Sequence, residues 1–204
     1  MEAPVAAPPA RKPQQRGRQT RKAILDAAIE CLSEYGYAGA TTVQIQARAG
    51  ISRGRLLHHF PSRDDLLVAA VEHLTAARLD EVLAQASAKA RPKDRIDVAV
   101  EGMWDSMQGP LFVAASEIWV AARSHPELRA VLEPAERETG RKIRAAYQEA
   151  FGPAGDHPRF PEVLDLLITS MFGAALSHNF DSVRRRDATR VREWKRLAHE
   201  LLSA

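Results

Sequence analysis

The chain holds one cysteine, Cys31, among 204 residues, which excludes an intrachain disulfide and suits a reducing compartment. Cys31 falls on the apolar face of the first expected helix, where a free thiol is commonly an inert core residue. Long hydrophobic runs are also missing: none approaches the roughly 20 residues needed to span a bilayer. The Ala/Pro-rich start lacks the contiguous apolar core of a signal peptide. These readings predict a cytoplasmic protein with no membrane partner. The sequence shows no Gly-rich phosphate loop, nucleophile elbow or paired CxxC. Its histidines stand at 58, 59, 73, 125, 157, 178 and 199, with no pair at i and i+4 to make a helical zinc site. His58 and His59 are adjacent and would point about 100° apart on a helix. No catalytic residue, cofactor or metal is therefore expected, and an all-helical enzyme is the minor alternative.

What is present is an ordinary globular composition, 45% hydrophobic and 27% charged, large enough for one big domain or two modest ones. The net charge of +3 hides an asymmetry. Residues 1–63 carry ten Lys/Arg against four Asp/Glu, whereas residues 64–204 carry nineteen against twenty-two. Positive charge at one end fits phosphate neutralisation, although a solvated basic surface would look the same. Residues 1–17 are Pro/Ala-rich, contain Arg11, Lys12 and Arg16, and read as a disordered basic arm. Such an arm is either a flexible tail or a reach into a minor groove.

The segment Thr41–Leu67, TTVQIQARAGISRGRLLHHFPSRDDLL, carries the strongest local signal. Thr41 or Thr42 can cap a short helix with Val43, Ile45, Ala47 and Ala49 as its small or apolar residues. Gly50 can take the left-handed conformation that ends it, and Ser52 offers a new N-cap for 53–60. Helix, tight glycine turn, helix is the pattern of a helix-turn-helix, whose second helix enters the DNA major groove. Arg53, Gly54, Arg55, His58 and His59 are polar or minimal, while Leu56 and Phe60 are spaced to anchor. Pro61 stops the helix, and Ser62 with Asp65 makes a capping-box-like pair for the next. Ahead of the motif, Thr20–Gly36 places Ile24, Ala28, Cys31 or Leu32, and Tyr35 at helical spacing.

An amphipathic helix, the Gly36-Tyr37-Ala38-Gly39 break, this motif and Phe60-Pro61-Ser62-Arg63-Asp64-Asp65-Leu66-Leu67 follow one another in order. Over residues 18–70 the chain resembles the N-terminal domain of the tetracycline-repressor-like (TetR) family of bacterial transcription regulators. The resemblance implies an all-α protein: a three-helix helix-turn-helix domain over 18–66, then a helical ligand-binding and dimerisation domain over 67–204. It also implies the DNA contacts. Arg18 lies at the start of the matching segment, and Thr42 matches a phosphate-binding position. Arg53, Gly54 and Arg55 match the start of the recognition helix. His59 matches a frequent histidine before the aromatic, and Arg63 a phosphate-gripping base. Leu57 departs from a common tyrosine. His58 replaces a second aromatic, and Arg55 is longer than the usual small residue, which favours guanine.

Beyond Leu66 the chain reads as helices: 64–88 as a link to the core, 94–107, a nearly all-round apolar 111–124, and a charged helix from Pro126 to Phe151. A loop over 152–161 precedes two last helices. A pocket for an apolar effector is expected among Met103, Trp104, Met107, Phe112 and Trp119, with Tyr147, Met171 and Phe172. Ser116, Arg123 and His178 would be its polar groups. Glu117 and Arg123, if buried, are candidate partners for each other. The resemblance further implies a homodimer on a palindromic operator, its interface formed by the last two helices. The expected interface residues are Leu164, Ile168, Met171, Ala174 and Ala175 from one helix, and Val191, Trp194, Ala198 and Leu201 from the other. The resulting expectation is a ligand-responsive DNA-binding regulator, most simply a repressor. A ligand-free architectural DNA binder is the runner-up, and it gives no reason for so large an apolar C-terminal part.

Overall fold

The computed structural model describes residues 11–89, 95–178 and 185–202. Among the described residues there are nine α-helices and one short 3-10 turn, with no strand. The order is α1 (Arg11–Gly39), α2 (Thr42–Ala49), α3 (Arg53–His59), α4 (Arg63–Lys89), α5 (Arg95–Ser106) and α6 (Pro110–Ala122). Then follow α7 (Pro126–Phe151), the 3-10 turn Gly152–Asp156, α8 (Phe160–His178) and α9 (Arg185–Leu202). Residues 1–10 of the expected arm lie outside the described residues, whereas 11–17 are helical and open α1.

The periodicity of α1 does what its spacing predicts. Ile24, Leu25, Ala28, Cys31 and Leu32 are fully buried. Tyr35 is the exception, 42% exposed with Arg48 lying 5.5 Å from its ring centroid. One position later the backbone leaves the helix, because Gly36 sits at φ 67, ψ 179. That region is open essentially to glycine alone. Helix α4 then runs as a long strut, burying Leu66, Leu67, Val68, Ala70 and Val71 at one end and Leu79 and Val82 at the other.

Two hydrophobic clusters result, and they do not divide at residue 66. The first joins α1–α3 and the start of α4 to Ala114, Ile118, Ala121 and Ala122 of α6 and to Leu128 and Leu132 of α7. The second gathers the far end of α4 with α5, the end of α7, α8 and α9. Helices α4 and α7 take part in both. Helix α6, expected to be buried all round, is not: Val120 is 62% exposed. Helix α8 is more apolar than its sequence run suggested. Its Phe160–Ser177 stretch has mean hydropathy 1.3, long and apolar enough by composition to cross a membrane, yet only 33% of it is buried.

In the single chain most of the expected interface residues pack inward. Leu164, Met171, Ala175, Trp194 and Ala198 are each no more than 7% exposed and belong to the second cluster. Trp194 packs against Trp104 of α5, the rings tilted 44° with centroids 5.1 Å apart. Ile168, Ala174, Val191 and Leu201 are partly buried against the same cluster. The apolar stripes at helical spacing are thus the ones that close the monomer core, because α8 and α9 must bury one face against α5 and α7 before any partner arrives. The outward face of α8 carries Glu162, Leu166, Thr169, Ser170, Gly173 and Ser177.

Candidate nucleic-acid interface and ligand cavity

The helix-turn-helix is built from local bonds. Thr41 caps α2: its Oγ1 accepts from the Gln44 amide at 3.3 Å, and Gln44 Oε1 accepts from the Thr41 amide at 3.2 Å. Gly50 closes α2 in the left-handed region at φ 64, and its amide donates to the Ala47 carbonyl at 3.3 Å. Ser52 Oγ accepts from the Arg55 amide at 3.4 Å and starts α3. Leu56 and Phe60, 1% and 3% exposed, pin α3 to the core. Arg53, Gly54, Arg55, Leu57 and His58 are therefore left exposed on it. Val43, expected among the apolar contributors of α2, is 65% exposed, so this surface has an apolar component that the periodicity did not reveal.

Thr42, the first residue of α2, is half-buried, and Arg18 is exposed on α1. Arg55 Nη2 donates to Thr20 Oγ1 of α1 at 3.0 Å, which steadies an otherwise free guanidinium. Arg21 lies 5.0 Å above the Phe60 ring. His59 is half-buried, and burial, then the charges of His58, Arg55 and Arg21, hold its pKa below the ordinary value. An approaching phosphate would raise it again. Arg48, which the sequence reading left unassigned, braces α2 on α1 by donating to Glu34 and to the Tyr35 hydroxyl.

Arg63 also has a structural role within the chain. Its Nε donates to the Ala40 carbonyl at 2.9 Å, Nη2 donates to the Tyr37 carbonyl, and the guanidinium stacks 4.3 Å from the Tyr37 ring centroid. It locks α4 onto the α1–α2 corner. Arg63→Ala should therefore cost about 1–3 kcal/mol of folding stability, and lysine, lacking the planar fork, should restore only part. Urea denaturation followed by helical circular dichroism measures this; unchanged midpoints in both variants would remove the locking role.

Tyr37 is the hub of that corner. Its hydroxyl donates to Asp64 Oδ1 at 2.9 Å, and its ring meets His125 edge-on with centroids 5.1 Å apart. Its amide donates to Glu117 Oε2 of α6 at 3.1 Å. Glu117 thus pairs with backbone and not with Arg123, which is exposed at the end of α6. The partner 80 residues away was invisible in the sequence because nothing local records it.

Between α4, α5, α6, α7 and α8 lies a cavity of about 300 Å³. Met107, Phe112, Trp119, Tyr147 and Phe172 line it as expected. Met103 and Met171 are fully buried but lie in the second cluster behind the wall, and Trp104 packs against Trp194. Ser116 turns its hydroxyl to the Phe112 carbonyl at 2.8 Å, and it and Arg123 lie outside the lining. The side chain of His178 falls outside the described residues. The lining also contains groups that the sequence reading missed: Thr75 and Arg78 of α4, Glu136, Thr139 and Arg144 of α7, and Asp165 of α8. Glu136 reads as surface on a charged amphipathic helix, and only the crossing of α7 over α4 and α6 turns it inward. Burial pushes its carboxyl above the ordinary range, against the pull of a hydrogen bond from Trp119. Among the described residues no cluster of three His, Cys, Asp or Glu could hold a metal.

Residues 24–70 match the family model described as bacterial regulatory proteins, tetR family. An uncharacterized HTH-type transcriptional regulator of Mycobacterium tuberculosis is 29% identical over 169 residues, covering 82% of this chain and 86% of that protein. The HTH-type transcriptional regulator BetI of Escherichia coli is 33% identical over 103 residues, about half of each chain, 50% and 52%. The fold is shared with a TetR transcriptional regulator from Rhodococcus sp. RHA1, with a TM-score of 0.60 at 26% identity over 93% of this chain and 97% of that one. It is shared too with the fatty acid degradation regulator FadR from Bacillus halodurans, with a TM-score of 0.65 at 15% identity over 90% and 94%. Family match, relatives and fold agree with the capped, exposed recognition helix: residues 24–70 are a DNA-binding domain of the TetR family of bacterial transcriptional regulators, with α2 and α3 as its helix-turn-helix.

Proposed function

We propose that the protein is a cytoplasmic, homodimeric repressor that a small effector releases from a palindromic operator. The observation that carries this reading is the sharing of helices between cavity and reading head. Helix α4 lines the cavity with Val71, Thr75, Arg78 and Leu79 and buries Leu66–Val71 in the first cluster. Helix α6 lines it with Leu111, Phe112, Ala115 and Trp119, while Glu117 on the same helix holds the α1 kink. A ligand that moved either helix would reorient the head. Two heads must stand about one DNA turn apart, roughly 34–36 Å, so a displacement of a few ångströms misaligns them. The outer face of α8, with exposed Leu166 among the small and polar Thr169, Ser170, Gly173 and Ser177, supports a second copy of the chain as its partner.

On DNA, α3 enters the major groove with Arg53, Gly54, Arg55, His58 and His59, while Arg18 and Thr42 meet phosphates. Selection from a random DNA pool should enrich a two-fold symmetric site; a pool without enrichment would refute sequence-specific reading. Arg55→Ala should then relax preference at one base pair per half-site by about 1–3 kcal/mol. Competition binding with single-base operator variants measures this, and a uniform loss across all variants would make Arg55 a phosphate contact. Ligand and operator must weaken each other by the same factor, typically about 5–150-fold.

A further inference from the structure

Among the described residues, the aromatic end of the cavity holds a carboxylate with no ion pair. Glu136 of α7 and Trp119 of α6 both line the cavity. Trp119 is followed by Phe172, with centroids 5.2 Å apart, and Phe172 by Phe112, at 5.3 Å. Three ring systems on α6 and α8 thus form a continuous wall beside one carboxylate. Among the described residues neither Glu136 nor the nearby Glu72 of α4 enters an ion pair. Burial and the Glu72 charge both work against an ionised Glu136, a penalty that a bound cation would relieve.

The cationic lining residues are differently placed. Arg78 lies at the Tyr147 end and is already paired, 2.8 Å from Glu81 Oε2 and 3.2 Å from the Asp105 carbonyl. Arg144 is exposed, as is Asp165 across the lining. We infer that the effector is a lipophilic monocation, an alkyl or aryl ammonium, whose charged head lies against Glu136 and the Trp119–Phe172 rings and whose apolar tail fills the rest of the cavity. Ring faces attract a cation and are neutral towards an alcohol, and a desolvated carboxylate repels an anion. This assignment rests on the reading of the cavity as the effector site. A head of this kind with a chain of about ten carbons is a reasonable fill for about 300 Å³.

The test compares three probes that share a decyl-length chain, titrated calorimetrically into the full chain below their micelle concentrations: decyltrimethylammonium, 1-decanol and decanoate. The cation should bind at least about tenfold more tightly than either of the others. Glu136→Gln, nearly the same in shape, should abolish that advantage and leave decanol affinity within about twofold, with Trp119 emission still quenched on binding. Decanoate binding as well as the cation, or a Gln variant with its cation preference intact, would overturn the assignment while leaving the cavity as an effector site. Binding by none of the three would overturn the cavity reading itself and the assignment with it. If the Gln variant fails to fold, the three-probe ranking on the unaltered chain decides alone.

Discussion

Leu166→Glu should give a folded, helical monomer that has lost tight binding to a palindromic operator. Leu166 is 50% exposed in the single chain, so a charge there disturbs little of the monomer core. In a dimer closed across the outer face of α8 the same charge would be desolvated without a partner, which is expensive. With one head per particle the second binding event is no longer intramolecular, and operator affinity should fall about 10²–10⁴-fold. Sedimentation velocity gives the oligomeric state and fluorescence anisotropy the affinity, on full and half operators. Binding to a half-operator should stay within about twofold of the unaltered protein. A Leu166→Glu protein that sediments as a dimer would rule out this face. Trp194→Glu tests something else: Trp194 is 7% exposed and packed against Trp104, so that change should unfold the second cluster instead of parting two subunits.

Gly36→Ala should destabilise the protein by about 1–3 kcal/mol and weaken the link between α1 and α6. Two effects add. The backbone at φ 67 disfavours any side chain, and a Cβ at this position would lie 2.7 Å from Glu117 Oε2. Glu117 would have to withdraw, and the Tyr37 amide would lose its acceptor. Glu117→Ala isolates the second effect; losing a charge-assisted bond there should cost about 1.5–3 kcal/mol. Denaturation midpoints measure both variants. A Gly36→Ala protein as stable as the original would show that the kink relaxes at no cost. The same two proteins test transmission, because a loosened α1–α6 joint should lower the ligand-induced loss of DNA binding. Unaltered ligand response in both would leave α4 as the sole link.

The helix-turn-helix was legible because its determinants are local. Gly50 and Ser52 act within three or four residues and the structure repeats both, while the choice of Thr41 over Thr42 came from its reciprocal bonds with Gln44. Leu56 and Phe60 were equally readable, since residues four positions apart fall on one side of α3 and its C-cap. The structural contacts of Arg63 were not legible for the opposite reason: a basic residue after a turn looks the same in sequence whether or not it also holds two carbonyls 23 and 26 positions upstream.

By itself the sequence determined the succession of helices, the left-handed turn at Gly50, the cap at Ser52, and the exposure of Arg53, Arg55 and His58 beside the anchors of α3. These follow from backbone hydrogen bonding and 3.6-residue periodicity, which act over a few positions. Only the tertiary structure decided which apolar stripe of α8 and α9 closes the monomer, since a helix apolar on several faces does not name its neighbour. It alone brought Glu117 to the Tyr37 amide and set Glu136 beside Trp119. Those pairings depend on how helices far apart in the chain cross, and a crossing is fixed by the packing of whole faces, not by any one residue's surroundings in sequence.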